Sequence, residues 1–267
     1  MSMHALVINL ECSKERLEFQ QQQLSVLGIS FLRIPAVSAK DLDDATYAEH
    51  ANNWERPLRR TEVACSLSHI KAWETVIKRN APCLILEDDA LLNTHTKDIL
   101  DALVQQTDYD CVNLETRARK KRVSKKKSHL WGNFYLSKLI QDKSGAAAYV
   151  LWPSGAKLLL KWVREHGVGL ADATIALGPS WNHGQVEPAA AIQLDCCNHY
   201  KLTCPLETST SIHNIPKPEP SSWYPFLWRR LRGQFRIAIK KLKHYRLAES
   251  VELKPCRLIF TSNEIQL

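Results

Sequence analysis

Pro82-Cys83-Leu84-Ile85-Leu86-Glu87-Asp88-Asp89 is the stretch from which the rest of the chain is read. A short apolar run between turn residues forms a buried strand. Three carboxylates follow where that strand leaves its sheet, a place poorly suited to core packing. They are hard oxygen ligands of the kind that hold Mg2+ or Mn2+. The carboxyl edge of an open α/β sheet is also where ligands bind, and a metal held there can clamp a diphosphate.

Working outward, the N-terminal part reads as strand, helix, strand. His4–Leu10 is an apolar run. Lys14–Leu27 is helical, with Ser13 as N-cap and Gly28 as stop. Ile29–Ile34 is a second strand closed by Pro35. This β-α-β order points to a parallel sheet with crossover helices. Residues 40–60 are polar and irregular. Thr61 then caps an amphipathic helix whose Val63, Ala64, Leu67, Ile70, Trp73 and Ile77 share one face.

Beyond the acidic triplet, Tyr109–Leu114 is another strand. Arg117–Lys127 follows, with eight basic residues in eleven positions. It is poorly periodic and reads as a mobile, solvated loop, one that could also attract a phosphorylated lipid-A/core acceptor or anionic lipid. Gly145–Leu151 returns to a strand, and Pro153 opens a helix stopped by Gly167. Asp172 sits in a Gly/Ala-rich turn, followed by a short apolar run to Leu177. Pro188–Leu194 is a last strand. Pro216, Pro218, Pro220 and Pro225 then mark a linker, which divides the chain into a domain over 1–215 and a basic tail over 216–267.

The 267 residues suffice for a substantial core, and a hydrophobic fraction of 45% with 24% charged residues is ordinary for a globular protein. The net charge of +8 favours anionic partners. No apolar run approaches the ~20 residues needed to span a bilayer. The opening Met1-Ser2-Met3-His4 has neither a basic n-region nor a cleavage site, so no signal peptide is expected. Eight cysteines without a signal suggest reduced thiols in a cytoplasm. Cys196, Cys197, His199 and Cys204 match no common zinc spacing and read as buried thiols in or beside a strand. Nucleic acid is not expected as a partner, because no RNP motif, zinc-finger spacing or helix-turn-helix signal accompanies the charge.

Four segments together resemble glycosyltransferase family 25, the lipooligosaccharide glycosyltransferases and their relatives in collagen glycosylation. They are Val7-Ile8-Asn9-Leu10 with Arg16, then Glu62-Val63-Ala64-Cys65-Ser66-Leu67-Ser68-His69, then Leu84–Asp89. The fourth is Ala148-Tyr149-Val150-Leu151 with Gly155-Ala156-Lys157-Leu158-Leu159, and Asp172 downstream. The chain departs from the pattern at Ala36-Val37-Ser38 and in its basic stretch at 117–127. The resemblance implies a GT-A-like fold, with a mixed, mainly parallel sheet flanked by helices. It also implies a UDP-sugar donor (galactose first), Mn2+ or Mg2+, and an inverting transfer to a lipid-linked oligosaccharide acceptor.

On that basis Glu87 and Asp89, which point the same way from an extended backbone, are expected at the metal or the donor ribose. Asp88 is the alternative direct ligand. Asn9, Arg16, Ser66 and His69 join Glu87 and Asp88 as donor-binding candidates, against plain helix-surface readings for Arg16, Ser66 and His69. Asp172 is the expected general base, against a helix-capping role. Glu187 and Asp195 stand behind it. His183, His199 and His213 are candidate late metal ligands or structural residues.

The tail carries Trp223-Tyr224-Pro225-Phe226-Leu227-Trp228 ahead of Arg229-Arg230-Leu231-Arg232 and a basic amphipathic pattern. Such a helix suits an anionic membrane surface, here the inner face of a bacterial inner membrane. The alternative reading is a basic membrane-associated or nucleic-acid-binding protein without catalysis.

Overall fold

The central strands alternate strictly between two sides of one sheet, and that alternation builds two cores. The computed structural model describes residues 3–142, 145–177, 180–206, 218, 223–243 and 245–255. The first half runs β1 (His4–Asn9), α1 (Lys14–Val26), β2 (Phe31–Pro35), α2 (Asp44–Ala51), α3 (Arg60–Arg79), β3 (Cys83–Glu87), β4 (Ala90–Leu92) and α4 (Thr96–Val104). Then come β5 (Cys111–Asn113), β6 (Lys120–Trp131), β7 (Phe134–Gln141), β8 (Ala148–Leu151), α5 (Pro153–His166) and α6 (Ala171–Leu177). The chain continues with β9 (His183–Glu187), β10 (Ala191–Gln193), α7 (Cys197–Tyr200), α8 (Tyr224–Lys243) and β11 (Ala248–Glu252).

Nine strands form one sheet in the order β11-β6-β7-β9-β5-β8-β3-β1-β2. β1 is parallel to both β2 and β3, and β5 is parallel to β9. β8 lies antiparallel between β3 and β5. Thus β2, β1, β3, β5, β9 and β6 run one way and β8, β7 and β11 the other. The expected mixed α/β sheet is what forms. On one side Leu84, Leu86, Val112, Ala148 and Val150 pack on Leu24 of α1 and on Ile99, Leu100 and Leu103 of α4. On the other side Cys83, Ile85, Cys111, Tyr149 and Leu151 pack on α3, α5 and α6 through Trp73, Val76, Leu159 and Ile175. Leu84 and Ile85 are both fully buried, so truncating either to Ala costs about 2–5 kcal/mol.

Several elements differ from the sequence reading. The 40–60 segment contains α2, capped by Asp43, whose carboxylate accepts the Thr46 N–H at 2.8 Å. α3 starts one residue before Thr61. Its first turn is closed by Glu62, which accepts the Arg59 N–H and two bonds from Arg56, all at 2.8 Å. Burial opposes ionisation of Glu62, but these donors outweigh it and hold the carboxyl below its usual range. The Asp172 segment is the first turn of a helix, not a turn alone. The last expected strand shortens to β10, which pairs antiparallel with β4 outside the main sheet.

The largest correction concerns Arg117–Lys127. Its core is not a loop but the first part of β6, a twelve-residue strand between β7 and β11. Its inward positions are Lys121 and Val123, both fully buried. A lysine at an inward position erases the apolar alternation by which a strand is recognised. The tail also returns to the main sheet, because β11 pairs with β6 from Ala248↔Ser124 to Glu252↔Lys120. Most of the proline-rich linker and His213 lie outside the described residues.

Candidate active site

β1, β3 and β5 end on one edge of the sheet, and β8 begins there. That edge collects Asn9, Glu87, Asn113 and the Gly145–Ala147 segment. β3 makes its last main-chain bond through Glu87 N–H to Ala147 O at 2.9 Å, and the acidic turn begins.

The three carboxylates diverge, because Glu87 ends the strand while Asp88 and Asp89 lie in the turn that follows. Asp88 turns back to the first βα unit. It accepts from Asn9 Nδ2 at 2.8 Å and pairs with Arg16 at 3.2 Å. Asn9 is itself held by Arg33 Nε at 3.0 Å. Gln20 donates to the carbonyls of Asp88 and Ala90, at 3.2 and 2.7 Å, and so locks the turn. Burial and the neighbouring Glu87 raise the Asp88 pKa despite its Asn9 and Arg16 donors.

Glu87 and Asp89 share the other side. Gln193, the last residue of β10, places its amide nitrogen 3.2 Å from Glu87 Oε2 and 3.3 and 3.5 Å from the two Asp89 oxygens. The register Gln193↔Ala90 and the Leu194 N–H to Asp89 O bond at 2.9 Å put it there. Burial first, then repulsion from Glu87 and Asp88, pushes Asp89 up to about 7. Two carboxylates forced together in low dielectric favour a shared cation.

His69 orients Glu87. Trp73 Nε1 lies 2.8 Å from Tyr149 Oη, which lies 3.0 Å from His69 Nδ1. The indole can only donate, so the Tyr149 oxygen accepts from it and keeps its own hydrogen for Nδ1. Nε2 then carries the proton and donates to Glu87 Oε1 at 3.2 Å. His69 is fully buried, so this chain of bonds fixes its ring.

A second buried polar group lies beside the first. Lys121 Nζ pairs with Asp142 at 2.7 Å and donates to Glu115 O and Gln185 Oε1, each at 2.9 Å. Glu115 accepts the Ala147 N–H at 2.9 Å. Burial pushes its carboxyl up to about 8, with Lys121 opposing and Glu87 and Asp142 reinforcing the rise. Gly145 has φ of +142° and donates no side chain; a Cβ there would meet Asn113 Nδ2 at 2.4 Å. Asn113 bonds the Gly145 carbonyl at 3.0 Å.

Ser66 is tied to backbone carbonyls. Its hydroxyl lies 2.6 Å from the Gly169 carbonyl and so ties α3 to the loop before α6. That loop delivers Asp172. Its Oδ1 accepts the Ala173 N–H at 2.7 Å. Burial raises its pKa, and the charges of Glu87 and Asp142 add to the rise, which places Asp172 in the same electrostatic field as the strand-end acids. Glu187 also ends a strand on this edge but is taken by Lys127 at 2.5 Å and by Ser137. Asp195 is paired with Arg117 at 2.6 Å. His183 starts β9 opposite Cys111, on the far edge. His199 faces Glu252 of β11 at 3.6 Å.

Among the described residues, two donor sets could receive a metal. Glu87 and Asp89 offer only hard oxygens, and their crowding fits a hard divalent ion. Cys65, His69 and Glu87 offer sulfur, nitrogen and oxygen within 4.8 Å of one another. There, however, burial and then the charges of Glu87 and Asp172 hold the Cys65 thiol well above its usual pKa, against the thiolate a soft metal needs. The sequence reading missed Gln193, Glu115, Asp142 and Lys121. Glu115 and Gln193 were within reach of the same strand-end argument that singled out Glu87; Lys121 and Asp142 were not.

The model of glycosyltransferase family 25 (LPS biosynthesis protein) matches residues 2–174, a span that contains Asn9, the acidic triplet and Asp172. The lipooligosaccharide biosynthesis protein lic2B of Haemophilus influenzae is 27% identical over 161 residues, 57% of this chain and 60% of that protein. A putative glycosyltransferase of the same species is 25% identical over 174 residues, 64% of this chain and 61% of that protein. The chain thus spans about three fifths of the length of these relatives. Procollagen galactosyltransferase 1-B of Xenopus laevis is 29% identical over 123 residues, 40% of this chain and 20% of that protein. With its matched span covering well over half its length, the chain belongs to glycosyltransferase family 25.

Proposed function

We propose that this protein transfers a sugar from a UDP-sugar to a lipooligosaccharide-core acceptor, with inversion at the anomeric carbon and with Mn2+ or Mg2+ bound. The observation that carries this reading is the convergence of Glu87 and Asp89 oxygens on one point at the sheet's carboxyl edge, with the Asp172 carboxylate in the same field. Galactose is the first donor to try, because one relative is named a procollagen galactosyltransferase.

Each residue has a task in this GT-A-like scheme. Glu87 and Asp89 would hold the cation, which when bound supplies charge neutralisation for a departing diphosphate. His69 keeps one Glu87 oxygen occupied, so the other stays turned toward Asp89. Asp88 fixes Arg16 and Asn9 at the mouth of the βα turn, where a uracil, ribose or phosphate would rest. Asp172 takes the proton from the attacking acceptor hydroxyl. Its raised pKa suits that work, since a base titrating nearer neutrality accepts a proton more readily.

The acceptor's lipid places the enzyme at the cytoplasmic face of a membrane in this scheme. α8 supports it. Phe226, Arg229, Gly233 and Ile237 form its inward or half-covered side, and Arg229 bonds the carbonyls of Asn52 and Trp54. Its outward side is the apolar one: Tyr224 is 85% exposed, Trp228 65%, Phe235 67% and Leu242 80%. The helix has no acidic residue, and aromatic and aliphatic side chains flanked by arginine and lysine suit an anionic leaflet. No helix among the described residues is long and apolar enough to cross a bilayer.

The central test is UDP release from a panel of UDP-sugars with a lipooligosaccharide-core acceptor, with Mn2+ and with chelator. Turnover with one donor, lost in chelator, is expected; turnover indifferent to chelator removes the metal, and none with any donor removes the reading. Liposome flotation tests the membrane contact. Trp228→Ser with Phe235→Ser should release the protein from anionic vesicles without lowering turnover on a soluble acceptor. Unchanged flotation would move the contact elsewhere.

A further inference from the structure

Gln193 sits where neither core packing nor strand pairing needs a polar side chain. Its amide nitrogen faces three carboxylate oxygens at 3.2, 3.3 and 3.5 Å. Charge-assisted N–H···O bonds usually run ~2.7–2.9 Å. The nitrogen is therefore not bonded closely to one acid but centred among oxygens of two. That central point is where a hard cation would bring the same oxygens to ligand distance. In the described residues an N–H donor occupies the place and offsets some of the repulsion between Glu87 and Asp89.

A donor cannot stay facing a cation. A glutamine amide, however, carries nitrogen and oxygen of nearly equal size on one torsion, and turning it over exchanges them. Its root is firmly held. Gln193 closes β10 opposite Ala90, and the next residue's N–H bonds the Asp89 carbonyl at 2.9 Å. The side chain stays over Glu87 and Asp89 while its end turns.

We propose that Gln193 is a third ligand of the divalent cation, presenting Oε1 beside Glu87 and Asp89, and that its N–H group holds the two acids together when no cation is bound. The inference rests on the metal-dependent reading above and adds a ligand from the late part of the chain, outside the span matched by the family model. An amide oxygen is a hard, neutral donor of the type Mn2+ and Mg2+ accept. It adds a ligand without adding negative charge to an already crowded acidic site.

The experiment is a Mn2+ titration of the full chain without donor, read by the EPR signal of free Mn2+, on wild type, Gln193→Leu and Gln193→Glu. Thermal unfolding in chelator accompanies each. Wild type is expected to bind. Gln193→Leu removes both amide atoms and should weaken binding at least about tenfold. Gln193→Glu keeps an oxygen and loses the N–H, so it should bind at least as tightly as wild type while unfolding at a lower temperature in chelator. A folded Gln193→Leu protein that binds Mn2+ as tightly as wild type overturns the proposal and leaves the amide as a stand-in for the cation only. If Gln193→Leu does not fold, Gln193→Glu decides alone: weakened binding there overturns it. Absence of Mn2+ and Mg2+ binding by wild type overturns the metal-dependent reading itself, a result distinct from either.

Discussion

The acidic end of β3 and the basic first half of β6 are the two densest runs of like charge described above, and the fold treats them in opposite ways. At β3 the strand stops and a turn follows, so Glu87 and Asp89 meet at Gln193, with His69 on Glu87, while Asp88 turns back to Arg16. At β6 the strand continues, so the pleat sends successive lysines to opposite faces. Lys121 goes inward to Asp142, while Lys120, Lys125 and Lys126 stay exposed. Lys127 and Arg117 are spent on Glu187 and Asp195. A charge run at a strand's end concentrates charge for a ligand. The same run along a strand divides it between internal pairing and solvent.

The sharpest way to test the first half of that contrast is Asp89→Ala. Transfer with Mn2+ should fall by about 10²–10³ or more, with circular dichroism unchanged. Full activity in a folded variant would mean that the converging acids are only a structural turn. Asp172→Asn tests the neighbouring carboxylate. It keeps the shape but cannot take the acceptor's proton, so kcat should drop by about 10²–10⁴ with UDP affinity retained. A loss of donor affinity at unchanged kcat would reassign Asp172 to the donor site.

The second half of the contrast is tested at Lys121. Lys121→Met removes the ammonium paired with the buried Asp142 and should cost about 3–5 kcal/mol in urea unfolding. Asp142→Asn in the same chain should restore most of that loss. A cost below about 0.5 kcal/mol would mean that β6 is a solvated strand after all. Lys126→Ala, an exposed residue of the same strand, should change stability by no more than about 0.5 kcal/mol.

A pH titration compares the two regions in one curve. Glu115 and Asp89 have folded-state pKa values of about 8 and about 7, above their ordinary values of 4.5 and 3.8. The folded protein thus binds more protons than the unfolded chain between those limits, and stability must fall as pH rises. The metal-free protein should melt at a higher temperature at pH 5.5 than at pH 8. Added Mn2+ should flatten the slope, because it favours the ionised acids. Glu62, whose folded pKa is lowered, acts in the opposite sense and only at lower pH, below its ordinary 4.5. A melting temperature flat across pH 5.5–8 without metal would show that the acids are not crowded.

The legible parts share one property, that the information is local. The β1-α1-β2 opening, the amphipathic α3 and the strand carrying Glu87 each bury a recognisable apolar pattern, and each lies within a few residues of its expected place. α2 was missed because a short polar helix held by an Asp43 cap has no apolar stripe of its own. β6 was missed because its inward lysine finds its partners just past β7 and on β9, at positions 142 and 185.

By itself the sequence determined the mixed α/β class, the strand that ends in three carboxylates, the family, and the basic amphipathic helix now seen as α8. These follow from periodicity and from motifs contiguous in the chain. Only the tertiary structure decided which carboxylate faces what: Asp88 back to Asn9 and Arg16, Glu87 and Asp89 toward Gln193, Ser66 to a backbone carbonyl, and Lys121 into the interior. It also decided that the tail returns to the sheet as β11. The physical reason is range. A hydrophobic period is written in neighbouring residues, whereas the partner of a buried charge is chosen by strand order and register across residues 9, 88, 121, 142 and 193, which no local pattern connects.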